Sequence, residues 1–353
     1  MNQSQLREKQ GFLTGLVSAG YVTGMVGLGL RLGLYRALTE LGPVSARGLA
    51  EATGLHERWL LEWLRCQTAG GVLEQDEAGR FCLSAPMAAL LSDEESSSFA
   101  GGPLLTFLDR QANFDKLPQA FQTGRGFTWD DQGPWATESS ERSRKNWYRD
   151  ELVQRVLPEL DGVAPRLTKG GKVADLGCGA GAALFELAKA FPQSKFFGYD
   201  VSEVALAKAL DRRKEAGLLN LEFHHAVREP LPEDGSFDLA LTCDCLHDMA
   251  HPERAAGSIR RALKDDGVWF ILEIACEPSF EENLAANRAQ TALRYASSLL
   301  TCLPSGMSEP DGAGLGTLGL PEPALRDLTQ IAGFTAFRRL PLPSTHALYE
   351  VRP

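Results

Sequence analysis

The second half of the chain alternates short apolar runs with longer stretches whose apolar residues recur at helical spacing. The apolar runs predict buried strands at 172–176, 195–200, 221–225, 237–242 and 268–274. The stretches between them predict helices at 182–191, 203–216 and 252–263. Strands that alternate with helices form βαβ units and a parallel sheet. Ligands of such sheets bind beyond the carboxyl ends of the strands, so we expect the functional residues there.

The C-terminal end of the chain breaks this alternation. A helix is predicted at 322–332, and two strands follow at 335–340 and 346–351 with no helix between them. Successive strands that lack a crossover helix pair antiparallel. We therefore expect an antiparallel pair at one edge of the sheet.

The N-terminal part has a different order of elements. Ser45 is placed to cap a helix at 46–53, and a second helix is predicted at 56–69. Two short strands are predicted at 72–75 and 80–83. Helix, turn, helix and hairpin in this order predict a winged-helix-like domain. The chain is therefore expected to comprise three parts: this domain over 1–92, a helical connector that contributes to a substrate pocket over 93–165, and the sheet domain over 166–353.

Residues 11–30 carry no charge over 20 positions, which is the length that a bilayer requires. Six of these positions are glycine, which makes a poor isolated helix that needs close packing partners. Gly11 and Gly15 are spaced so that another helix can approach closely, as are Gly20 and Gly24. One interpretation is a membrane span. The interpretation that we favour is a packing helix in a symmetric homodimer, with an interface made largely by residues 1–40 and no membrane contact.

Charge and cysteine content narrow the classes of partner. The chain of 353 residues has a formal net charge of -10, and nonspecific nucleic-acid binding depends on Lys and Arg that neutralise phosphates. Residues 1–90 hold eight Lys and Arg against eight Asp and Glu, so the winged-helix-like domain has no net charge. We expect no nucleic-acid partner. The seven cysteines are scattered without a C-x-x-C pair, which indicates a reducing, cytoplasmic compartment.

The strongest chemical signal is a glycine-rich loop between a predicted strand and a predicted helix. Residues 173–181 are VADLGCGAG, with glycines at 177, 179 and 181. Glycine lets the backbone turn tightly and approach a ligand, and the helix that follows offers free N–H groups to an anion. The spacing G-x-G-x-x-A over 177–182 also fits a dinucleotide-binding loop. The glycines alone therefore leave the choice of nucleotide ligand open.

Two acidic residues make that choice. Asp175 stands two positions before the first glycine, where its carboxylate can reach an ammonium group. Asp200 ends the second predicted strand, where a carboxylate can accept both hydroxyls of a ribose. With these acids the chain resembles the class I S-adenosylmethionine-dependent methyltransferases, which have an acid before G-x-G-x-G and another at the end of the second strand. The resemblance extends through 236–239, 262–267 and 271–273.

The N-terminal half sharpens this resemblance. A winged-helix-like domain before the catalytic fold is similar to that of the small-molecule O-methyltransferases, where it serves dimerisation and substrate binding. A little-characterised, largely bacterial subgroup is more similar still, on the residues at 58–64, 247–248 and 312–316. The resemblance implies an α/β fold, with a Rossmann-like class I methyltransferase sheet behind a mostly α winged-helix-like domain. It also implies S-adenosyl-L-methionine as cofactor and a small molecule as methyl acceptor.

The chain departs from these relatives at two places. Many of them have an acid after the third strand to meet the adenine amine, whereas residues 225–228 are HAVR, so we expect backbone contacts to adenine there. Residues 302–305 are CLPS, which places a proline near a region that the subgroup usually keeps helical. The resemblance nevertheless implies a cofactor-binding set: Asp175, Gly177, Cys178, Gly179, Gly181, Asp200, Val201, Ala226, Val227, Cys243 and Asp244.

The catalytic candidate is His247, in the segment 244–248 (DCLHD) just past the fourth predicted strand. In small-molecule O-methyltransferases a His-Asp pair at this point supplies the general base, and tryptophan follows it where this chain has Met249. Methyl transfer to a hydroxyl or thiol needs in-line alignment and loss of a proton, and histidine titrates near neutrality. We expect Asp248 or Glu273 to orient His247. The alternative is that His247 only caps the end of the strand.

Two other features bear on the site. Cys243, Cys245, His247 and His251 are zinc-ligand types, but structural zinc sites need four ligands and no second pair is spaced for a zinc finger, so we expect no metal. The segment 127–135 is irregular, and loops with large aromatic residues often line pockets. The aromatic residues expected to line a substrate pocket are Phe127, Trp129, Trp135, Trp147 and Tyr148.

These features together predict an enzyme that transfers a methyl group from S-adenosylmethionine to a small molecule. The expected acceptor group is a hydroxyl of a metabolite or biosynthetic intermediate. Two alternatives stay open at this point. One is a winged-helix transcriptional regulator that senses S-adenosylmethionine, and the other is an NAD-dependent oxidoreductase on the same sheet. A basic recognition helix would favour the regulator, and nicotinamide binding would favour the oxidoreductase.

Overall fold

A computed structural model describes residues 2–342 and 346–353, and the side chain of Ser143 is outside that description. The chain forms two compact units, Met1–Gln111 and Ala112–Pro353. The division falls inside the predicted connector, so each unit holds part of residues 93–165. The boundaries at 92 and 165 stay predictions.

The first unit is mostly helical, and its strands form one small hairpin. Its elements are α1 (Gln3–Arg31), α2 (Leu34–Leu41), α3 (Ala46–Thr53), α4 (Glu57–Ala69), β1 (Glu74–Gln75), β2 (Phe81–Cys82), α5 (Ala85–Leu91) and α6 (Gly102–Arg110). The hydroxyl of Ser45 accepts a hydrogen bond from the N–H of Gly48 at 3.1 Å, which is the predicted helix cap. The order of helices and strands is the predicted one, although the two strands are shorter than predicted.

The C-terminal half of α1 packs inside this unit. A Cβ atom at Gly29 would lie 2.3 Å from the indole ring of Trp63, so the close approach of α1 and α4 requires glycine there. The indole N–H of Trp63 donates to the carbonyl of Met25 at 2.9 Å. By contrast, a Cβ at Gly11 or Gly15 would meet no atom within 4 Å. A Cβ at Gly20 would also meet no atom within 4 Å, whereas one at Gly24 would lie 3.2 Å from the side chain of Leu108. Of the four glycines predicted to allow close packing, only Gly24 therefore does so within this unit.

The N-terminal half of α1 exposes large apolar side chains. Their exposed fractions lie between 56% and 74%, and the residues are Phe12, Leu13, Leu16, Val17 and Tyr21. By length and composition, α1 is also a helix that could cross a membrane, and 28% of its apolar window is buried.

The second unit is a mostly parallel sheet packed against helices. Its strands are β3 (Lys172–Leu176), β4 (Lys195–Asp200), β5 (Leu221–His225), β6 (Phe237–Cys243), β7 (Leu263–Ile274), β8 (Ala336–Arg339) and β9 (His346–Arg352). Its helices are α7 (Leu117–Thr123), α8 (Trp135–Trp147), α9 (Leu157–Glu159), α10 (Val163–Lys169), α11 (Ala182–Ala190), α12 (Glu203–Ala216), α13 (Pro252–Ala262), α14 (Phe280–Ala286), α15 (Arg288–Leu300), α16 (Cys302–Gly306) and α17 (Glu322–Ile331). Short 3₁₀ turns occur at Gln111–Asn113, Asp130–Gln132 and Leu246–Asp248, and a π-helix at Tyr148–Val156.

Among the described residues, the sheet of the second unit has seven strands in the order β5-β4-β3-β6-β7-β9-β8. Strands β3 to β7 pair in parallel, and β9 is antiparallel to both of its neighbours. The predicted antiparallel edge pair is therefore confirmed. The strand order reverses between β3 and β6, and a crevice beyond their carboxyl ends is the place where such sheets bind ligands.

Both faces of this sheet are buried. Along β7, Phe270 and Leu272 face one apolar cluster, and Trp269 and Ile271 face the other. Side chains alternate between the faces of a strand, so a strand with both faces covered is apolar at every position. This explains the near-continuous apolar runs in the sequence. Strand β7 begins earlier than predicted, at Leu263, with a register shift against β6.

Candidate active site

The glycine-rich loop turns from β3 into α11 at the carboxyl edge of the sheet. Gly177, Gly179 and Gly181 have φ angles of 80°, 55° and 78°, in the left-handed region that favours glycine. A Cβ atom at Gly181 would lie 2.5 Å from the ring of Phe223. The loop therefore depends on glycine both for its conformation and for space.

Asp200 lies beside this loop, at the end of β4. Its Oδ2 accepts the N–H of Gly179 at 2.6 Å, and its Oδ1 accepts the N–H of Ser202 at 2.8 Å. Burial raises the pKa of Asp200, and these backbone hydrogen bonds act in the opposite direction. A carboxylate offers about four lone-pair sites, so Asp200 keeps acceptor capacity for the hydroxyls of a ribose.

Asp175 is a buried carboxyl group at the end of β3. It is 2% exposed, and its Oδ1 has no hydrogen-bond partner among the described residues. Burial, and then the charge of Asp200, raise the pKa of Asp175 to about 8. Leaving a buried polar group unpaired costs about 1–3 kcal/mol. An ammonium group bound at this oxygen would remove that cost, so the position fits the amino group of the expected cofactor.

A cavity of about 800 Å³ opens beyond these strand ends. Gly181, the N-cap residue of α11, is the member of the predicted cofactor set that is not on the cavity wall. The predicted cofactor residues on the wall are Asp175, Gly177, Cys178, Gly179, Asp200, Val201, Ala226, Val227, Cys243 and Asp244. We call the part of the cavity at 175–183, 199–203 and 225–227 the donor end.

The predicted aromatic lining is only partly on the cavity wall. Trp129 and Tyr148 lie on the wall, whereas Phe127, Trp135 and Trp147 do not. Trp147 packs edge-on against Tyr148, with 5.6 Å between the ring centroids. We call the part of the cavity wall at 128–148, 244–251 and 305–309 the acceptor end.

Asp244 lies at the acceptor end, directly after β6. Its φ angle is 56°, in the left-handed region. Residues other than glycine rarely adopt this conformation, although aspartate does so more often than most. Its carboxylate forms an ion pair with the guanidinium of Arg144 on α8, which also lies on the wall. The Oδ1 of Asp244 lies 3.7 Å from Nε2 of His346. Burial, and then the charge of Arg144, lower the pKa of His346 to about 3, so this imidazole is uncharged at neutral pH.

His247 is 2% exposed and lies behind the cavity wall. Its Nδ1 is 2.7 Å from Oε2 of buried Glu273, whose Oε1 accepts the N–H of Leu246 at 3.0 Å. Its Nε2 lies 3.3 Å from Oδ1 of Asp248, and Asp248 does lie on the wall. Glu273 therefore fixes the imidazole ring, and the other ring nitrogen faces the cavity through Asp248.

The pKa values of His247, Glu273 and Asp248 depend on one another. Burial acts to lower the pKa of His247, but the charges of Glu273 and Asp248 raise it well above its usual value. Burial acts to raise the pKa of Glu273, but the imidazolium charge lowers it. Burial raises the pKa of Asp248. The interaction between the two groups therefore favours the protonated form of His247 and the charged form of Glu273.

Sequence reasoning missed three residues that the fold brings to the cavity region. Arg144 pairs with Asp244, and Asp130 lies on the wall. The sulfur of Cys302 lies within 4.8 Å of side-chain atoms of His247 and of Asp248. All three come from segments far along the chain from the motifs that they meet. A signal existed for Asp130, which lies in the irregular segment 127–135 that was predicted to line a pocket.

Most of the larger unit matches a known protein family. Residues 167–308 match a family described as a methyltransferase domain. This part of the chain is a methyltransferase domain. Residues 20–93 match a family described as an Rv2258c-like winged HTH domain. The two matches confirm the predicted family, fold class and enzyme class, and they decide against the oxidoreductase.

The chain has a distant relative among curated proteins. An alignment of 133 residues is 36% identical to an uncharacterized 37.1 kDa protein in transposon TN4556 of Streptomyces fradiae. It covers 37% of this chain and 34% of that protein. The aligned part of this chain covers at most 34% of the length of each of the first four curated relatives.

Solved structures share the fold over nearly the whole chain. An O-methyltransferase family protein from Burkholderia thailandensis has a TM-score of 0.67 at 17% identity, covering 96% of both chains. Human N-acetylserotonin methyltransferase, solved with S-adenosylmethionine, has a TM-score of 0.68 at 17% identity. That alignment covers 98% of this chain and 97% of the human protein.

S-adenosylmethionine is the cofactor that the methyltransferase domain and its donor end both indicate. The unpartnered oxygen of Asp175 fits its ammonium group, and Asp200 has acceptor capacity for its ribose. The predicted cofactor is therefore confirmed.

Proposed function

We propose that this protein transfers a methyl group from S-adenosylmethionine to a hydroxyl of a small molecule. One cavity combines both parts of this chemistry, with Asp175 and Asp200 at the donor end and the His247–Glu273 pair behind Asp248 at the acceptor end. A cavity of about 800 Å³ has room for a small acceptor beside the cofactor. The human protein of the same fold is named for a small-molecule acceptor, N-acetylserotonin, which supports the proposal.

The donor end would hold the cofactor by three kinds of contact. Asp175 would accept hydrogen bonds from the ammonium group, and Asp200 would accept them from the ribose hydroxyls. Ala226 and Val227 lie on the same wall, where backbone groups would meet the adenine. When bound, the cofactor supplies a methyl group on a sulfonium, which is electrophilic without further activation.

The acceptor end has polar atoms that a hydroxylated molecule would satisfy. Nε of Arg144 and Oδ1 of Asp244 are buried without a hydrogen-bond partner among the described residues, and Oδ1 of Asp248 has only the 3.3 Å contact with Nε2 of His247. Buried polar groups in folded proteins are almost always paired, so a ligand with complementary groups is favoured here. Two of the three atoms are carboxylate oxygens, which accept hydrogen bonds. An acceptor that carries hydroxyl donors therefore suits this end better than an apolar one.

We assign the acceptor's proton to the unit formed by Asp248, His247 and Glu273. Asp248 meets the acceptor at the wall, and Nε2 of His247 lies 3.3 Å behind its carboxylate. In the reactive state His247 is neutral, and it takes up the hydroxyl proton through the carboxylate of Asp248, which lies between it and the acceptor. Bound S-adenosylmethionine would supply the methyl group to the acceptor oxygen and would be left as the neutral thioether. Glu273 stabilises the imidazolium that results, because it already binds Nδ1 at 2.7 Å.

Methyl-labelled S-adenosylmethionine tests this proposal with a panel of phenols and alcohols. The wild-type protein is expected to form labelled methyl ethers, and His247→Ala is expected to lose most of that activity. Asp234→Ala, an exposed carboxylate in the turn before β6, serves as the control and should behave as wild type. Label transfer that is confined to amines and unchanged in His247→Ala would contradict the hydroxyl assignment.

We also propose that the protein is a cytoplasmic homodimer assembled through α1. The exposed apolar residues between Phe12 and Tyr21 form a surface that would be an aggregation hazard in a monomer. A two-fold interface would bury the same face on both copies. The seven cysteines are free, in keeping with a reducing compartment. Light scattering should give twice the chain mass of 38.4 kDa, whereas a stable monomer would contradict the dimer.

No nucleic-acid partner is proposed despite the match to a winged HTH family. Residues 1–90 carry no net charge, so phosphate neutralisation has no excess of Lys and Arg to draw on. Gel shifts with random duplex DNA at low salt should show no tight complex. Tight, salt-sensitive binding would restore the regulator as the function.

A further inference from the structure

The segment 126–132 crosses the second unit beside the cavity, and we call it the Trp129 strap. Trp129 and Asp130 lie on the cavity wall, and residues Asp130–Gln132 form a 3₁₀ turn. The methyl-transfer proposal assigns no role to Asp130. Its carboxylate nevertheless makes two contacts with a distant part of the chain.

One side of the strap is fixed to the segment that contains α16. The N–H of Gly126 donates to the carbonyl of Met307 at 2.8 Å, and the N–H of Phe127 donates to the carbonyl of Pro304 at 3.1 Å. A Cβ atom at Gly126 would lie 2.0 Å from the carbonyl oxygen of Pro304, so the contact requires glycine. The side chain of Gln132 donates to the carbonyl of Thr301 at 3.1 Å. Both ends of the strap are therefore held by hydrogen bonds to the segment 301–307.

The other side of the strap is fixed by Asp130. Its Oδ1 accepts a hydrogen bond from the hydroxyl of Ser202, and its Oδ2 accepts the N–H of Glu203 at 2.9 Å. Ser202 is the N-cap residue of α12, and its hydroxyl also accepts the N–H of Ala205 at 3.0 Å. Asp130 therefore adds a second carboxylate to the turn between β4 and α12.

That turn is the one that carries the ribose-binding carboxylate. The N–H of Ser202 donates to Asp200 at 2.8 Å, and the other oxygen of Asp200 accepts the N–H of Gly179 at 2.6 Å. A continuous series of hydrogen bonds thus runs from the strap through Asp130, Ser202 and Asp200 to the glycine-rich loop. Hydrogen bonds to a charged group are stronger than neutral ones, so this series resists displacement of the turn.

We infer that Asp130 is a positioning residue for cofactor binding, which holds the Asp200 turn in place and keeps Trp129 on the cavity wall. The inference rests on the assignment of S-adenosylmethionine to this cavity, but not on the identity of the acceptor or the base. Without the Asp130 carboxylate, the hydroxyl of Ser202 and the N–H of Glu203 lose their partner. The turn and the strap then move independently, and a bound cofactor dissociates more readily.

Stopped-flow measurement of S-adenosylhomocysteine release tests this inference on the full-length protein. Asp130→Ala is expected to raise both the dissociation rate and the Kd about tenfold, as the loss of charge-assisted hydrogen bonds would. Asp130→Asn keeps one acceptor oxygen and should show a smaller rise. Asp211→Ala removes an exposed carboxylate from the same helix α12, and it should behave as wild type.

A second readout follows the strap itself. Arg125 precedes the strap and is exposed. Trypsin cleavage of the Arg125–Gly126 peptide bond therefore reports release of the strap. Cleavage with S-adenosylhomocysteine bound should be faster in Asp130→Ala than in the wild type or in Asp211→Ala. A purely structural role would lower the melting temperature and leave the release rate of the folded fraction unchanged.

The outcomes separate this inference from the proposed function. If the wild type does not bind S-adenosylhomocysteine, the cofactor assignment fails. If the wild type binds it and folded Asp130→Ala releases it at the same rate, only the role of Asp130 is wrong.

Discussion

At the donor end of the cavity, Asp200 receives hydrogen bonds from the backbone N–H groups of Gly179 and Ser202. At the acceptor end, Asp244 and Asp248 each keep an oxygen without a hydrogen bond among the described residues. The donor end is thus organised mainly by backbone groups of one strand–loop–helix unit. The acceptor end is organised by side chains from segments far apart along the chain, such as Arg144 and Asp244.

This difference matches the two ligands that the ends are expected to bind. Backbone N–H groups hold Asp200 in the same way whatever the surrounding side chains are, which suits the binding of a cofactor common to many enzymes. Side chains with unsatisfied polar atoms discriminate between ligands, because a molecule that leaves them unpaired pays their desolvation cost. The ends should therefore fail differently when mutated, with donor-end changes affecting cofactor affinity and acceptor-end changes affecting turnover.

The largest expected effect is on turnover at the acceptor end. His247→Ala should reduce kcat on a hydroxyl acceptor by about 10² to 10⁴, because it removes the proton acceptor. Affinity for S-adenosylmethionine, measured by calorimetry, should stay near the wild-type value. A loss below tenfold would support the alternative that His247 only caps the end of β6.

The pH dependence of turnover sharpens this prediction. Glu273 and Asp248 raise the pKa of His247 well above its usual value, and a base must be unprotonated to accept a proton. In the wild type, kcat/KM should therefore rise with pH and level off on the alkaline side of the usual histidine range. That limb should be absent in His247→Ala. The apparent pKa belongs to the coupled His247–Glu273 pair rather than to one residue.

A smaller pH effect is expected at the donor end. Burial and Asp200 raise the pKa of Asp175 to about 8, so this carboxyl group is largely protonated below that pH in the free protein. An ammonium group binds the ionised form, so affinity for S-adenosylmethionine should weaken as pH falls from 8 to 6, by up to about tenfold per pH unit. Calorimetry across this range measures the slope. Asp175→Asn should bind weakly with no such slope, and an equal slope in this variant would assign it to another group.

The smallest predicted effect concerns the backbone of the donor end. Gly181→Ala should lower the free energy of unfolding by about 2 kcal/mol, since φ is 78° and the new Cβ would lie 2.5 Å from Phe223. Gly217→Ala is the matched control, because its φ is 64° but no atom lies within 4 Å of its Cβ position. In denaturant unfolding, Gly217→Ala should lower the free energy of unfolding by about 1 kcal/mol. Equal losses would mean that contact with Phe223 has no effect.

Much of the donor end could be predicted from the sequence because its signals are local. The run 173–181, the acid at 200 and the apolar strands around them all lie within one βαβ unit, and α12 begins and ends at the predicted residues. Strand β7 is an exception, because residues 264–267 are Lys, Asp, Asp and Gly yet continue the strand through a register shift. An apolar pattern has no means of indicating such a shift.

The acceptor end was less predictable because its residues meet only in the folded chain. Arg144 and Asp244 share an ion pair across α8 and β6, and the thiol of Cys302 reaches His247 from α16. Trp135 and Trp147 illustrate the opposite case. Their aromatic character indicated a pocket, but neither residue lies on the cavity wall.

Calorimetric titration of S-adenosylmethionine into Asp200→Ala tests the central claim most directly. Asp200 is the side chain that joins the glycine-rich loop to the ribose position, through Gly179 and Ser202. Wild-type protein and the Asp234→Ala control should bind with equal affinity, and Asp200→Ala should lose about 100-fold or more while keeping its circular dichroism spectrum. Unchanged affinity in a folded Asp200→Ala protein would contradict the assignment of this cavity to the cofactor.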